Sequence, residues 1–305
     1  MGCFYKGWGR KFSGKIAVSL SEIIHGEFVL LEDGFIRSIG LGGSQSFSLV
    51  EDDIGIYYDA TALCKLENLL NNYDFKSNSD LLKKSTFAID LIKKSQVSKY
   101  NHAPNIDDDY FSNATSNKVL IITQTKGDLS LEYGLAKQFN TNEIIDTAIE
   151  ENPNAEIYLK VHPDVLNGRK GSDIDIESFK TKCKIISDDV NPISLLKHFS
   201  KVYTKTSQMG FEALIVGCEC VCFGMPFYAG WGLTDDRVQC ERRKRKLNVE
   251  EVFAASYILY AKYFNPYTQK PSDIIDTIKT IVRYREFEWK SSKKIFLISF
   301  QTLDT

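Results

Sequence analysis

Short apolar runs and longer stretches of helical spacing alternate along the chain, and the elements follow from them. Phe28 to Leu31 (F-V-L-L) is a buried strand by length and composition, halted at Glu32-Asp33-Gly34. Lys15 to Leu20 reads as a short strand or the start of a helix, and Ile54 to Tyr58 as a strand. Leu63 to Asn72 and Asp80 to Ser95 carry helical spacing. From Lys99 to Asn117 the composition turns to Asn, Asp, Ser and Pro, which predicts a linker or domain boundary. The run Asp107-Asp108-Asp109 within it reads as a solvated loop rather than a metal site.

Beyond this stretch the rhythm is regular. Strands are predicted at Val119 to Thr123, Glu156 to Val161, Lys201 to Thr204 and Glu219 to Phe223. Helices are predicted at Leu129 to Asn140, Asn142 to Asn152, Ile193 to Phe199 and Gln208 to Val216. Such alternation means a parallel sheet covered on both faces, with ligands at the carboxyl ends of its strands. Asn248 to Phe264 and Pro271 to Tyr284 read as helices, and Ile295 to Phe300 as a strand-like piece.

Composition narrows the class. At 305 residues the chain has room for about two domains. Its 43% hydrophobic and 26% charged residues exclude disorder, collagen and coiled coil as the main state. A formal net charge of -2 argues against a bulk nucleic-acid binder. No apolar run reaches the roughly 18 residues of a spanning helix, and Met1 to Arg10 shows no apolar leader core. Seven cysteines then read as free thiols of a reducing compartment, with Cys218, Cys220 and Cys222 as small core residues on a strand.

Polar motifs sit at the ends of the predicted strands. Lys160-Val161-His162-Pro163 places an extended His at a strand end. That His suits a phosphate or carboxylate, or equally a structural turn. Thr206 and Ser207 precede the helix at Gln208, where hydroxyls cap the helix and also make a phosphate site. Glu212, one turn further on, suits a ribose diol or simply the helix dipole. Gln124-Thr125-Lys126-Gly127-Asp128 offers Asp128 as an N-cap or a cleft carboxylate. Glu32 and Asp33 are adjacent carboxylates at a buried strand end, costly unless solvated, paired with Arg37 or used. Gly224 to Thr234, with Tyr228 and Trp231, reads as a packed turn or an aromatic-walled pocket. Glu241 to Lys246 holds five cations, read as a solvated loop or as a surface attracted to anionic lipid.

In this order the segments resemble the bacterial capsule polysaccharide biosynthesis family of the KpsC/LipA type. The matching pieces are G-W-G-R-K at Gly7 to Lys11, E-D-G-F-I-R-S at Glu32 to Ser38 and Q-T-K-G-D at Gln124 to Asp128. They continue with K-V-H-P-D at Lys160 to Asp164, T-S-Q-M-G-F-E-A-L at Thr206 to Leu214, and F-G-M-P-F-Y-A-G-W-G-L-T-D-D at Phe223 to Asp236. The resemblance runs from about Gly7 to Tyr284 and corresponds to one catalytic module, where family proteins often carry two. It implies an α/β, GT-B-like fold: two Rossmann-like domains facing a cleft, with C-terminal helices packing back on the first. The expected division is an acceptor domain over 1–117, a CMP-sugar donor domain over 118–265, and crossover helices and tail over 266–305.

The activity implied is transfer of 3-deoxy-D-manno-octulosonic acid (Kdo) from CMP-Kdo to a phosphatidylglycerol-linked Kdo acceptor, with retention and without a metal or other cofactor. The donor would contact Lys160, His162, Pro163, Gln124, Thr206, Ser207, Gln208 and Glu212; the acceptor sugar would contact Arg37, Ser38, Tyr228 and Trp231. Asp128 is expected as the nucleophile of a double displacement, and Glu32 and Asp33 as catalytic carboxylates suited to deprotonating the acceptor hydroxyl; Asp33 is favoured of the two, with pairing to Arg37 as the alternative for Glu32. Expected partners are the sugar nucleotide, the glycolipid, the inner face of the inner membrane and capsule assembly proteins, and no nucleic acid; the expected place is the cytoplasm. Rival readings are a sialyltransferase-like CMP-sugar transferase and a non-catalytic glycolipid-binding paralogue.

Overall fold

In a computed structural model, residues 3–107, 109–112, 114, 117–161 and 181–285 are described. The chain begins with β1 (Phe4–Trp8), α1 (Phe12–Ile23), β2 (Glu27–Asp33) and β3 (Ser48–Asp52), followed by α2 (Lys65–Asn72) and α3 (Ser79–Ser95). The strand expected over Ile54 to Tyr58 is instead a turn. Buried Asp52 causes it: its carboxylate accepts from the amides of Ile54 (2.9 Å), Gly55 (2.8 Å) and Lys65 (2.9 Å), which curls the chain round one anchor.

The second half contributes β4 (Lys118–Ile122), α4 (Leu129–Tyr133), α5 (Thr141–Glu151), β5 (Glu156–Lys160), β6 (Lys184–Ile186), α6 (Pro192–Leu196), β7 (Lys201–Thr204), α7 (Gln208–Val216), β8 (Glu219–Cys222) and β9 (Asp235–Asp236). All six strands run parallel, in the order β6-β5-β4-β7-β8-β9. This is the doubly wound Rossmann order, which reverses direction between β4 and β7. Helix α4 stops at Gly134, short of the expected Asn140, because the Gly134 carbonyl accepts from the amide of Met225 at 2.7 Å.

The chain then returns to the first sheet. Helix α8 (Val249–Phe253) passes into a π-helical turn, Ala254–Tyr260, and then into β10 (Ala261–Asn265) and β11 (Lys270–Ser272). The helix expected to reach Phe264 thus ends as a strand. The first sheet has the order β1-β2-β3-β10-β11, and only β1 and β2 run parallel. Two expectations change. The first unit is a mixed sheet rather than a parallel one, and the return to it occurs before residue 265, since β10 pairs with β3. Residues 274–285 form a further helix.

The stretch expected as a linker is partly structural. The amides of Arg37 and Ser38 donate to the Lys99 carbonyl, at 2.9 and 3.2 Å, and the Asn101 amide donates to the Ile39 carbonyl at 2.9 Å. Asn101, fully buried, also donates from its side chain to the Ser38 carbonyl. The polar composition here serves buried hydrogen bonding, which composition alone does not distinguish from solvation.

Candidate active site

A cleft of about 760 Å³ opens at the reversal between β4 and β7, where loops diverge to opposite sides of the sheet. The loops after these two strands are tied together. The Thr206 amide donates to Gln124 Oε1 (2.8 Å), and the Gln124 amide donates to Thr206 Oγ1 (3.0 Å). Ser130 Oγ lies 2.9 Å from Thr206 Oγ1. The two hydroxyls and the amide therefore form one cross-braced floor.

Asp128 caps α4 beside this floor. Its Oδ1 accepts from the Ser130 amide (2.9 Å) and hydroxyl (2.8 Å), while Oδ2 meets only the Gln124 amide at 3.3 Å. Capping fixes the carboxylate and leaves one oxygen lightly held. Ser207 likewise caps α7, its hydroxyl accepting from the Met209 amide at 3.3 Å. Gln208 faces the cleft but spends its amide on the Phe35 carbonyl at 2.7 Å, so it joins the two halves. Glu212 is buried, and its Oε1 accepts from Ser98 Oγ at 2.7 Å; burial lifts its pKa to about 7. Lys160 lines the cleft, donates to the Asp188 carbonyl at 2.7 Å, and is pushed down by burial. His162 and Pro163 lie outside the described residues.

The first unit supplies the opposite wall. Glu32 lines it, accepting from the Trp8 indole at 3.0 Å and the Asp33 amide at 3.1 Å. Burial raises its pKa. Gly9, at φ +40°, lets the backbone pass so close that an added Cβ would sit 2.8 Å from a Glu32 oxygen. Asp33 is the residue paired with Arg37, Oδ1 to Nε at 2.9 Å. Of the two candidate carboxylates the preference is therefore reversed: successive residues of a strand point to opposite faces, and in β2 it is Glu32 that reaches the cleft.

Four residues assigned to the acceptor do not line the cleft. Arg37 also holds the Gly42 carbonyl at 3.0 Å, and buried Ser38 donates to the Gly40 carbonyl at 2.6 Å, so both shape the Gly-rich loop. Tyr228 and Trp231 are fully buried. The Tyr228 hydroxyl donates to the Ser207 carbonyl at 2.6 Å and the Trp231 indole to the Phe227 carbonyl at 2.9 Å. Both are core aromatics with a satisfied polar handle.

Several lining residues escaped sequence reasoning, among them Tyr57, Ser98, Lys99, Tyr100 and His102. His102 Nε2 lies 2.9 Å from Asp189 Oδ2. The Lys99-Tyr100-Asn101-His102 run was itself a signal, a lysine, an imidazole and an aromatic close together in a stretch read as a linker. Among the described residues no group of three or more His, Cys, Asp or Glu is arranged to hold a metal.

The basic stretch also turns inward. Arg242 Nε and Arg243 Nε meet the two oxygens of buried Glu67, at 2.7 and 3.0 Å. Arg245 donates to the Tyr73 carbonyl at 2.7 Å. Three of the cations read as a solvated loop or a lipid-attracted surface instead bolt the region after β9 to α2, through the carboxylate of Glu67 and backbone carbonyls of the first unit.

A Rossmann unit and a second α/β unit enclosing a cleft at the switch point define a GT-B-like protein. The chain belongs to the capsule polysaccharide biosynthesis protein family, KpsC/LipA type, whose profile matches residues 7–265. The capsule polysaccharide modification protein LipA of Neisseria meningitidis serogroup A is 42% identical over 291 residues, 91% of this chain and 41% of LipA. The lipopolysaccharide-processing protein LpsZ of Rhizobium meliloti is 38% identical over 235 residues, 76% of this chain and 53% of LpsZ. The chain thus spans about half or less of the curated relatives it matches. Among solved structures, the β-Kdo 2,4 transferase of Thermosulfurimonas dismutans KpsC is 45% identical with a TM-score of 0.85, covering 91% of this chain and 86% of that one. The β-Kdo 2,7 transferase of the same protein is 31% identical with a TM-score of 0.71, covering 93% and 86%.

Proposed function

We propose that the chain is a retaining glycosyltransferase that moves Kdo from CMP-Kdo to a lipid-linked Kdo acceptor built on phosphatidylglycerol. The observation that carries this reading is the cleft itself: Asp128 from the Rossmann unit and Glu32 from the other unit line one cavity. Retention by double displacement needs a nucleophile and a separate acid/base. Asp128, held by its cap with Oδ2 lightly engaged, attacks the anomeric carbon and CMP leaves. Glu32, whose raised pKa suits proton transfer, then takes the proton of the acceptor hydroxyl as that oxygen displaces Asp128.

The donor phosphate lies at the N-terminus of α7, near Ser207, Thr206 and Lys160; His162 and Pro163 are kept as proposed donor contacts on the strength of the K-V-H-P-D motif alone. These groups meet its charge without a metal. Glu212, with Oε1 held by Ser98, turns its other oxygen to the ribose. Lys99, which lines the cleft, suits the carboxylate of the sugar acid. The greater likeness to the 2,4 transferase supports the 4-hydroxyl of the acceptor sugar as the target. The site works at the cytoplasmic face of the inner membrane, where such an acceptor resides.

The test is release of CMP from CMP-Kdo with a synthetic lipid-linked acceptor, with the product linkage read by NMR. Asp128→Asn is expected to abolish transfer while CMP affinity by calorimetry stays within about threefold, since the carboxylate acts on the sugar. Full turnover in Asp128→Asn overturns the assignment. CMP-Kdo binding without any turnover by the wild-type chain favours the non-catalytic glycolipid-binding paralogue.

A further inference from the structure

Helix α1 is built inside out. The residues it buries are small, Gly14, Ala17 and Ser21. Its large apolar residues face solvent: Phe12 is 80% exposed and Ile23 71%, with Ile16 and Leu20 between them and Ile24 just beyond. At 100° per residue, Phe12, Ile16 and Ile23 fall within about 40° of one another, directly opposite the buried face. The small inner residues let the helix lie against β1, where an added Cβ on Gly7 would meet Gly14 Cα at 2.5 Å. That close seat explains the inner face. It leaves the outer stripe without a partner among the described residues.

Two further features point to the chemistry of what covers it. Lys11, the N-cap, and Lys15 are both exposed, so the end of the stripe where the helix starts is cationic, while Glu22 is at the far end. Lys11 also lines the cleft, as does Leu41 of the Gly-rich loop, itself 53% exposed. The cationic end of the face therefore reaches the cleft. A helix of 12 residues is about 18 Å long, and one face of it is too small for the roughly 800 Å² per partner of a stable protein interface. It is enough for a helix lying in the boundary of a bilayer, where apolar burial and lysine attraction to anionic headgroups act together.

We propose that the outer face of α1 docks on the surface of an anionic phospholipid bilayer and presents the cleft to an acceptor anchored there. The nature of the acceptor rests on the transferase reading; the docking surface is measured without turnover. The whole chain is incubated with vesicles of equal phosphatidylglycerol and phosphatidylcholine, and with phosphatidylcholine alone, and binding is read by co-sedimentation. The wild type is expected to bind the anionic vesicles, and salt weakens that binding. Phe12→Ser/Ile16→Ser/Ile23→Ser is expected to bind them at least tenfold more weakly with an unchanged circular dichroism spectrum, and Lys15→Glu to lose much of the preference for phosphatidylglycerol.

With a water-soluble acceptor the triple variant should turn over as the wild type does, and with a vesicle-embedded acceptor it should fall behind. Vesicle binding unchanged in the triple variant overturns the proposal. So does a wild-type dimer by sedimentation velocity that the triple variant converts to monomer, because a second copy then covers the stripe. If the wild type binds vesicles through this face but turns over neither acceptor, the transferase reading fails and the docking surface stands.

Discussion

Glu32 and Asp33 are chemically near-identical neighbours, and the backbone gives them different tasks. Glu32→Gln is expected to lower transfer by at least about 100-fold, the usual scale for loss of a general acid/base, and to let a Kdo adduct on Asp128 accumulate, which intact-mass spectrometry would reveal. Asp33→Asn should leave turnover within a few-fold and cost about 1 kcal/mol of stability through its partly exposed pair with Arg37. The reverse ranking would restore Asp33 to the cleft. Glu212 gives a pH signature. Burial holds its carboxyl at about 7, against 4.5 when free, so between these values the folded chain keeps a proton that the unfolded chain releases. Stability contributed by this group is thus full below about pH 4.5 and falls as pH rises towards 7, by roughly 3 kcal/mol at about 1.4 kcal/mol per pH unit. Glu212→Gln keeps an acceptor for Ser98 and should flatten that slope in urea denaturation followed from pH 5 to 8.

At the level of elements, α1 shows how a helix can be placed by what it lacks. An added Cβ on Gly14 would lie 1.9 Å from the Gly9 carbonyl oxygen, and that oxygen belongs to backbone, which cannot swing aside. Gly14→Ala should cost about 1–3 kcal/mol despite its better helix propensity, because overpacking outweighs the roughly 1 kcal/mol that Ala gains. A midpoint in urea equal to or above that of the wild type would show that α1 can slide outward freely. The contrast with α7 is instructive. That helix is bounded by Ser207 at its N-cap and by Gly217 at φ 98° after its last residue, and its expected range matches the observed one. Local capping chemistry specifies it.

Across the whole molecule, the two sheets are joined by covalent crossing and by charge. Glu67 is 2% exposed and meets two arginines from the other side of the chain, one of them also buried. Glu67→Ala leaves a buried guanidinium without its carboxylate and should cost about 3–5 kcal/mol. Arg242→Ala, which removes the more exposed partner, should cost less. Equal losses from both would mean that the outer arginine is as desolvated as the inner one.

Local sequence suffices for the four central strands of the Rossmann unit, but not for the short edge strands β6 and β9. Each of β4, β5, β7 and β8 is a short apolar run with its own covering helix or turn signal nearby, so periodicity and caps suffice. It also placed Gln124, Asp128, Thr206 and Ser207 at strand ends, and a parallel sheet gathers such ends on one edge. The rest depends on contacts between segments distant in the chain. The first sheet is completed by β10 pairing with β3, more than 200 residues earlier in the chain, and no local pattern encodes that partner. The side chain of β2 that reaches the cleft depends on which face the sheet turns inward. Arg242, Arg243 and Arg245 read as a solvated or lipid-seeking run until Glu67 and the Tyr73 carbonyl lie opposite them. Helix and turn are fixed by neighbours in sequence, whereas the use of a charge is fixed by what the fold places beside it.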